Sequence, residues 1–398
     1  MKVLHVCTVD EGGAALCCLR LHESLIKQGV ESKVLFKKKT TDIPGVYRYK
    51  ENFKEGLLRS FSKCLRILGL KITERNKVFF LSKKMNKAYT LPVSGCDISR
   101  SEFANWADVI HLHWIDDYVD QPTFFKKITK PVVWTLHDEN MFCGIAHYTK
   151  DIIQGNPIEI KYSELKSKIY QDSSNLSIVF LSEYMKSVFG QHPYLKGKRQ
   201  FIINNAVDTS KFLPQRKEFV RRKYRIADNK TVVLFIANDI NDPRKGLDVL
   251  IRALKEINNK DWLVLAIGNN KKINENLELV RPVGLIESVS ELNNLICCGN
   301  FFAMPSYQEA FPQSPMEAMA CGLPVVAFPV SGTKELINNN NGVVCEDFTK
   351  DSLKAGILKL LSRQYDANTI RQDMIDRFSP EMIARKYIDL YNELIDQQ

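Results

Sequence analysis

The sequence predicts an α/β protein of two similar domains, each built around a parallel β-sheet. Three observations support this fold class. The 398 residues suffice for two domains of ordinary size. The composition, with 44% apolar and 26% charged residues, is typical of a folded globular chain. Short apolar runs alternate with helical patterns, and this alternation begins anew after residue 230.

The N-terminal segment predicts a strand, a helix and a second strand in succession. An apolar run over residues 2–9 has the length of a strand and leads into a pair of glycines. Residues 14–28 have helical character and are followed by Gly29, a residue typical of helix ends. The next strand is predicted over residues 32–36. Further strands of this half are predicted over residues 109–114, 131–137, 178–181 and 200–203.

The same pattern returns in the second half. A strand over residues 231–237 precedes an amphipathic helix, since apolar residues recur there at three and four positions. Later strands are predicted over residues 262–267, 301–305 and 324–328. The sequence thus predicts an N-terminal domain over 1–205 and a C-terminal domain over 206–379. The helical segment 380–398, with no strand after it, is expected to pack back on the N-terminal domain.

The net charge of +10 is concentrated in residues 50–87, where eleven basic residues stand against three acidic ones. Apolar residues recur within this segment among the cations, and they are Leu57, Leu58, Phe61, Leu65 and Leu68. A helix of this kind either lies on an anionic membrane or packs its apolar face on its own domain. Nucleic acid is not an expected partner, because the lysines lack interleaved aromatic residues or a known binding module.

Other classes of protein are disfavoured by what the sequence lacks. The chain has no run of about 18 apolar residues, so no membrane-spanning helix is predicted. The N-terminus enters a strand directly and lacks the pattern of a signal peptide. We therefore expect a cytoplasmic protein, peripheral at the inner face of the cell membrane if the basic segment binds lipid. The ten cysteines are scattered or adjacent, without CxxC spacing, which indicates reduced thiols and no metal site.

Two carboxylates stand in the segment 309–317. Glu309 follows a predicted strand, and Glu317 lies in the first turn of a short predicted helix. Ligands of open parallel sheets bind beyond the carboxyl ends of strands, where a helix N-terminus also offers N–H groups to anions. The segment therefore predicts a site for an anionic ligand. The alternative is a capping box, in which Ser314 and Glu317 serve only to cap the helix.

A pair of cations, Arg244 and Lys245, lies between a predicted strand and the helix that begins at Leu247. Two positive charges at a helix N-terminus oppose the helix macrodipole. A bound diphosphate would offset this repulsion, so the pair indicates a phosphate site. The alternative is a solvated surface pair.

Gly12 and Gly13 connect the first predicted strand to the first helix. Glycines let the backbone approach a ligand closely, with the helix dipole aimed at it, although a tight turn explains them equally well. No GxGxxG pattern follows this strand, which argues against a nicotinamide-dependent dehydrogenase.

Histidines mark two strands of the N-terminal half. His137 ends a strand and is expected to face the same ligand-binding cleft as the other candidate residues. There it is suited to donate to a sugar hydroxyl or a carbonyl. A buried, hydrogen-bonded histidine is the alternative. His111 and His113 share one face of their strand, and the flanking Leu112 and Trp114 favour the core or a cleft wall over ligand binding.

Together these motifs resemble the retaining glycosyltransferases of family 4, which adopt the GT-B fold. In that fold two Rossmann-like domains with parallel sheets face an interdomain cleft. The resemblance spans nearly the whole chain, and its most specific part is the two glutamates eight residues apart in segment 309–317. The other segments that carry it are 12–13, 111–114, 135–138, 204–208, 244–247 and 320–326.

The resemblance implies a role for each candidate residue of the second half. Lys245 would hold the donor diphosphate and stabilise the leaving group, Glu309 would contact the donor sugar, and Glu317 would contact the ribose. The backbone that holds the sugar and phosphates would be that of Phe311, Pro312, Gln313 and Ser314.

In the first half, Gly12 and Gly13 would face the diphosphate, and His137 would contact the transferred sugar. The chain departs from the family at one point. The family has an arginine about six residues before the lysine, and residues 238–240 here read Asn-Asp-Ile. Either Arg244 takes over part of that role, or the phosphate site is weaker.

The expected activity is transfer of a sugar from a nucleotide-sugar to a glycan or lipid-linked glycan acceptor, in cell-surface polysaccharide biosynthesis. The nucleotide-sugar is a co-substrate, and no cofactor is expected. The resemblance implies retention at the anomeric carbon. Metal independence is expected because cations and helix N-termini would stabilise the leaving diphosphate and no Asp-x-Asp pair follows a suitable strand. The alternatives are a sugar-nucleotide epimerase and a non-catalytic nucleotide-sugar-binding protein of the same fold.

Overall fold

The structure, a computed structural model, describes residues 1–257, 261–269 and 279–397, with the backbone alone for Lys54. Gln398, the last residue of the predicted C-terminal segment, lies outside the described residues. The strands are β1 Lys2–Val9, β2 Glu31–Lys38, β3 Val46–Arg48, β4 Val109–Leu112, β5 Val132–Thr135, β6 Leu176–Phe180, β7 Arg199–Ile202, β8 Thr231–Asp239, β9 Trp262–Asn269, β10 Val280–Gly284, β11 Phe301–Met304, β12 Val325–Ala327 and β13 Gly342–Val344.

The α-helices alternate with these strands. They are α1 Gly13–Lys27, α2 Phe53–Ile67, α3 Glu74–Met85, α4 Glu102–Trp106, α5 Gln121–Lys127, α6 Pro157–Asp172, α7 Glu183–Phe189, α8 Lys217–Lys223, α9 Leu247–Lys255, α10 Val289–Cys297, α11 Gln313–Ala320, α12 Thr333–Leu336, α13 Lys350–Leu361, α14 Ala367–Phe378 and α15 Pro380–Ile395.

The chain forms two compact units. The first comprises Met1–Leu181, Met185–Ile203 and Ala384–Gln398. The second comprises Ser182–Tyr184 and Asn204–Ile383. Most of α15 therefore belongs to the first unit, although α14 just before it belongs to the second.

The first unit is built on a parallel sheet with the strand order β3-β2-β1-β4-β5-β6-β7. Strands β4, β5 and β6 are buried along their whole length, as expected when helices cover both faces of a parallel sheet. Strands β1 and β4 pair with His5 beside His111. The chain turns in opposite directions after these two strands, which makes their carboxyl ends the switch point of the sheet.

The second unit repeats this order in its described strands, β10-β9-β8-β11-β12-β13, again all parallel. Its core lies where α9 and α13 cover one face of the sheet. Val233 and Phe235 of β8 pack there with Leu250 of α9 and Leu353 of α13, and all four are buried. The switch point of this sheet lies between β8 and β11. The α/β class and the parallel sheets predicted from the sequence are confirmed.

Helix α15 is fixed to the first unit by a buried hydrogen-bond network. The Tyr391 hydroxyl and His111 Nδ1 lie 2.7 Å apart, and His111 Nε2 lies 2.8 Å from Thr135 Oγ1. Tyr387 extends the network, with its hydroxyl 2.8 Å from Thr135 Oγ1. Both tyrosines are buried. His111 is thus a core residue that joins β4, β5 and α15, one of the two roles that its sequence context favours.

Within the described parts of the chain, no helix combines the length and apolar character that a membrane span requires. The ten cysteines, all of them in described residues, form no disulfide, and Cys64 alone among them is exposed.

Candidate functional site

The loops after β8 and β11 meet at the switch point of the second sheet, where ligands of doubly wound folds bind. Lys245 comes from the first loop and Glu309 from the second. Lys245 Nζ lies 2.5 Å from Glu309 Oε1, and the two side chains retain 26% and 17% of their exposure. The two residues singled out from the sequence are therefore direct neighbours with access to solvent.

Backbone contacts hold these two loops together. Tyr307 N donates to Arg244 O at 2.8 Å. Gly246, with φ of +76°, packs against the other loop so closely that a Cβ atom would lie 2.2 Å from Pro305 O. A side chain at this position would push the two loops apart and move Lys245 away from Glu309. The glycine after Lys245 is therefore required by both its backbone conformation and its surroundings.

Arg244 is engaged by a nearby carboxylate. Its Nη2 lies 2.6 Å from Asp242 Oδ2, and Asp242 Oδ1 also accepts from Arg244 N at 2.9 Å. Although partial burial raises the pKa of Asp242, these bonds from Arg244 lower it below its usual value. The cations of this turn are thus offset by Asp242 and Glu309, a pairing the sequence analysis missed. An aspartate two residues before an arginine, across a proline, was the available signal.

Helix α11 begins beside Glu309 and does so without a side-chain cap. Its N-cap is Pro312, and Ser314 lies inside the first turn, so the capping-box interpretation of Ser314 and Glu317 is wrong. A serine caps a helix only from the flanking position, and the helix starts two residues too early for that. Helix starts present N–H groups that lack intrahelical acceptors, which suits an anion. Glu317 is buried, with 5% exposure.

The segment between Glu309 and α11 is held in place by hydrogen bonds to its backbone and by packing of the Phe311 ring. Asn205 Nδ2 donates to Phe311 O at 3.3 Å, and Ser331 Oγ donates to Ala310 O. The Phe311 ring is buried against Gly332, where a Cβ atom would lie 2.5 Å from the ring. Phe311 therefore anchors the segment with its side chain.

In the first unit, Gly12 and Gly13 lie at the carboxyl end of β1. Gly12 has φ of +88° and precedes α1 with no side-chain cap, and a Cβ atom on either glycine would meet nothing within 4 Å. The loop is anchored by Asp10, whose Oδ2 accepts from the backbone N–H groups of Thr40 at 2.5 Å and Thr41 at 2.6 Å. The start of a four-turn helix is thus left open for a ligand to approach.

His137 lies two residues past β5 and is half-buried. Its Nε2 is 3.1 Å from His113 Nδ1, and His113 Nε2 is 3.1 Å from His5 Nδ1. Burial lowers the pKa of His137 to about 4, although nearby Asp138 raises it. His137 is therefore neutral at physiological pH and forms the outer end of a row of three imidazoles.

Beside His137 lies an ionic cluster that the sequence analysis missed. His147 Nδ1 lies 2.6 Å from Asp138 Oδ2 and 3.8 Å from Asp116 Oδ2. Trp114 Nε1 donates to Asp138 Oδ2 at 3.0 Å, and His147 Nε2 lies 3.0 Å from Thr90 Oγ1. One ligand-type atom each from Asp116, Asp138 and His147 lies within 4.8 Å of the others. Asp116, Asp138 and His147 come from three separate segments of the chain, so no short sequence motif predicts their cluster.

The charges of this cluster follow from its burial and its geometry. Burial lowers the pKa of His147, but Asp116 and Asp138 outweigh it and raise the value to about 9. Burial raises the pKa of Asp116 to about 6. Asp138 is half-buried, and although this burial raises its pKa, His147 keeps the pKa of this carboxyl below its usual value. A charged His147–Asp138 pair therefore fixes the segment that follows His137.

The predicted residues of each unit thus follow the carboxyl ends of its parallel strands. In the second unit, Lys245 and Glu309 lie with Arg244, and helix α11 begins within the segment of Phe311, Pro312, Gln313 and Ser314, with Glu317 inside the helix. In the first unit, Gly12, Gly13 and His137 lie at the carboxyl ends of β1 and β5.

Known proteins resemble both halves of the chain. Residues 216–377 match the model of the family described as glycosyl transferases group 1. An uncharacterised glycosyltransferase of Methanocaldococcus jannaschii is 27% identical over 305 residues, covering 71% of this chain and 75% of that protein. The N,N'-diacetylbacillosaminyl-diphospho-undecaprenol α-1,3-N-acetylgalactosaminyltransferase of Campylobacter jejuni is 27% identical over 54% of this chain and 60% of its own length.

Among solved structures, HepE of Anabaena in complex with UDP-glucose resembles the chain with a TM-score of 0.66 and 16% identity, over 99% of this chain and 100% of that one. The family match, the relatives and the fold agree with one another. Residues 216–377 thus match the glycosyl transferases of group 1, and the chain is a glycosyltransferase with the GT-B fold.

Proposed function

We propose that the protein moves a sugar from a nucleotide-sugar to a glycan or lipid-linked glycan acceptor, with retention at the anomeric carbon and without a metal ion. The observation that carries this proposal is the contact of Lys245 with Glu309 beside the start of α11. A cation, a carboxylate and a helix start at the switch point of a parallel sheet suit a sugar diphosphate. HepE, which binds UDP-glucose, and the Campylobacter enzyme, whose name includes a diphospho-undecaprenol, support this substrate class.

The chemical demand of this reaction is negative charge on the departing diphosphate. The bond between the anomeric carbon and the phosphate oxygen breaks, the acceptor hydroxyl forms the new bond, and its proton passes to the diphosphate. Lys245 and the N–H groups at the start of α11 stabilise the departing oxygen, which removes the need for a metal ion. Glu309, released from Lys245 when the diphosphate binds, accepts hydrogen bonds from the donor sugar.

The remaining candidates bind the donor. The backbone from Phe311 to Ser314 holds the sugar and phosphates, and Glu317 accepts from the ribose. Gly12 and Gly13 admit a phosphate to the start of α1, and His137 contacts the transferred sugar. Arg244 acts on the phosphates only indirectly, because Asp242 holds its guanidinium.

The test is incubation with a panel of nucleotide-sugars, with and without EDTA, while free nucleoside diphosphate is measured. One donor should release diphosphate at a rate that EDTA leaves unchanged, and proton NMR of the transferred sugar should show the anomeric configuration of the donor. Inversion, or full loss of activity in EDTA, would refute the mechanism. Interconversion of donors without release would indicate an epimerase, and binding without turnover a non-catalytic protein.

We also propose that α2 places the protein on an anionic membrane, where a lipid-linked acceptor resides. Leu57, Leu58 and Phe61 are 57–62% exposed, and Phe53 at the helix start is 85% exposed. Leu65 is buried against the rest of the first unit, so only one of the apolar side chains of this pattern within α2 packs inside the protein. The basic residues within α2 and shortly after it are Arg59, Lys63, Arg66 and Lys71. Apolar side chains among cations suit a surface of anionic lipid.

Co-sedimentation with vesicles tests this second proposal. Vesicles that contain phosphatidylglycerol should retain the protein, and vesicles of phosphatidylcholine should not. The triple change Leu57→Ser, Leu58→Ser and Phe61→Ser should abolish retention, whereas Phe219→Ser, which removes a 72% exposed side chain of the second unit, should not. Equal retention of the triple variant would exclude α2 as the contact.

A further inference from the structure

Three imidazoles of the first unit form a hydrogen-bonded row that runs outward from the core. His5 is fully buried on β1, His113 follows β4 and is also buried, and His137 follows β5 and is half-buried. Both links in the row measure 3.1 Å, from His5 Nδ1 to His113 Nε2 and from His113 Nδ1 to His137 Nε2. The row therefore ends at His5 Nε2 inside the protein and at His137 Nδ1 on the outside.

The three rings are neutral at physiological pH. Burial holds the pKa of His5 and His113 well below the usual value, and neighbouring histidines lower both further. A neutral imidazole has one N–H donor and one acceptor nitrogen. Two arrangements of protons then satisfy both links. In one, every Nδ1 carries the proton; in the other, every Nε2 does.

The inner end of the row distinguishes these arrangements. His5 Nε2 is buried and has no hydrogen-bond partner among the described residues. With the proton on Nε2, the protein would bury an unpaired N–H, the rarest kind of unsatisfied group. Without it, the same atom is a bare acceptor. Cys18 Sγ lies within 4.8 Å of a ring nitrogen of His5, and burial holds the pKa of this thiol well above its usual value, so it retains its proton. Its S–H is a weak donor that favours an acceptor nitrogen nearby.

We infer that His5 and His113 hold His137 in the tautomer with the proton on Nδ1, so that this histidine presents a fixed N–H donor to its ligand. His5 Nδ1 donates to His113 Nε2, His113 Nδ1 donates to His137 Nε2, and His137 Nδ1 donates outward. The outer position is the one where a ligand oxygen or water satisfies the final N–H. His5 and His113 act through His137 and are positioning residues.

This inference deepens the proposed function, on which the identity of the ligand rests. A neutral, tautomer-locked His137 accepts no proton at Nδ1 and contributes no charge. Its ligand atom must be an acceptor, such as a hydroxyl or carbonyl oxygen of the transferred sugar. Because His137 is already in the binding-competent tautomer, the affinity for the nucleotide-sugar is not reduced by a population of the other tautomer.

Long-range 1H–15N correlation spectra of protein labelled at histidine nitrogen test the row without any substrate. The Nδ1 atoms of His5, His113 and His137 should have pyrrole-type shifts and the Nε2 atoms pyridine-type shifts at pH 7.5. His192→Asn, which removes a half-buried histidine of the same unit outside the row, serves for assignment and as a control that leaves the pattern intact. A pyridine-type Nδ1 at His137 would overturn the inference, whatever the enzyme is found to transfer.

Two variants of His113 separate positioning from packing. In His113→Asn the amide N–H replaces the Nδ1 donor, so His137 should keep its pyrrole-type Nδ1. In His113→Leu that donor is lost, so His137 should show averaged shifts, and KM for the donor should rise about two- to tenfold, since only part of the population is competent. Equal tautomer signatures of His137 in the two folded variants would contradict the positioning role. Should His113→Leu not fold, the wild-type spectrum alone decides the inference.

Discussion

Replacement of Lys245 by alanine removes the cation closest to the proposed phosphate site. The lysine ammonium pairs with Glu309 at 2.5 Å, and 26% of the lysine side chain is exposed. The change therefore deletes one charge from an open position and leaves the Pro243–Lys245 turn, held by Asp242, in place. The fold and the chemistry should respond to very different extents.

The two effects differ by orders of magnitude. A partly exposed ion pair contributes at most about 1 kcal/mol to stability, which corresponds to about 2–4 °C in Tm for a unit of this size. A preorganised donor to an anion that forms in the transition state contributes about 3–4 kcal/mol, or about 10²–10³-fold in kcat. Lys245→Ala should therefore lose most of its turnover and almost none of its stability.

The assay is release of nucleoside diphosphate at saturating donor, with thermal unfolding measured on the same samples. Lys230→Ala is the matched control, because Lys230 also pairs with a carboxylate of the second unit, Asp261 at 3.5 Å, but lies before β8 instead of after it. The control should keep its turnover. If Lys245→Ala retains turnover within about threefold of wild type while folded, Lys245 does not stabilise the leaving group.

Three further changes have defined outcomes. Gly246→Ala should lower the free energy of unfolding in urea by more than about 1 kcal/mol, and it should also lower kcat/KM, because a Cβ atom 2.2 Å from Pro305 O would displace the Lys245 loop. Gly284→Ala is the control: its backbone strain is similar, but a Cβ atom there meets open space, so kcat/KM should stay unchanged. His147→Asn should cost about 3 kcal/mol of unfolding free energy at pH 6, and a cost that persists undiminished at pH 10 would contradict the ion pair. The sign follows from the raised pKa: stabilisation by charged His147 is complete below its usual value of 6.5 and is lost as the pH rises through about 9. Tyr391→Phe should cost about 1–3 kcal/mol in the same assay, because buried His111 Nδ1 loses its partner at 2.7 Å, and an unchanged midpoint would show that this bond does not hold α15.

The central strands were predictable from the sequence, and three of the four edge strands were not. Strands such as β4, β5 and β11 are buried on both faces and appear as continuous apolar runs. The fourth edge strand, β7, was predicted over residues 200–203, whereas the sequence analysis missed the edge strands β3, β10 and β13. They are three to five residues long and are partly exposed in β3 and β10, so they have no continuous apolar signal.

The candidate site was predictable to the extent that it lies in loops next to strands. Lys245 and Glu309 each follow a strand of one parallel sheet, and that rule alone places them at the same edge. The pairing of Arg244 with Asp242 was less visible, because it is made within a short turn. The row from His5 through His113 to His137 spans three strands, whose order in the sheet a single sequence does not reveal.

The measurement that tests the central claim most directly is calorimetric titration of a nucleoside diphosphate and the matching nucleoside into wild type and Lys245→Ala, in EDTA. If Lys245 binds the diphosphate, the Kd for the nucleoside diphosphate should rise about 10–100-fold in the variant, because one charge-assisted hydrogen bond is lost. The Kd for the nucleoside should stay the same. An unchanged Kd for the diphosphate, in a variant that still binds the nucleoside, would contradict the account.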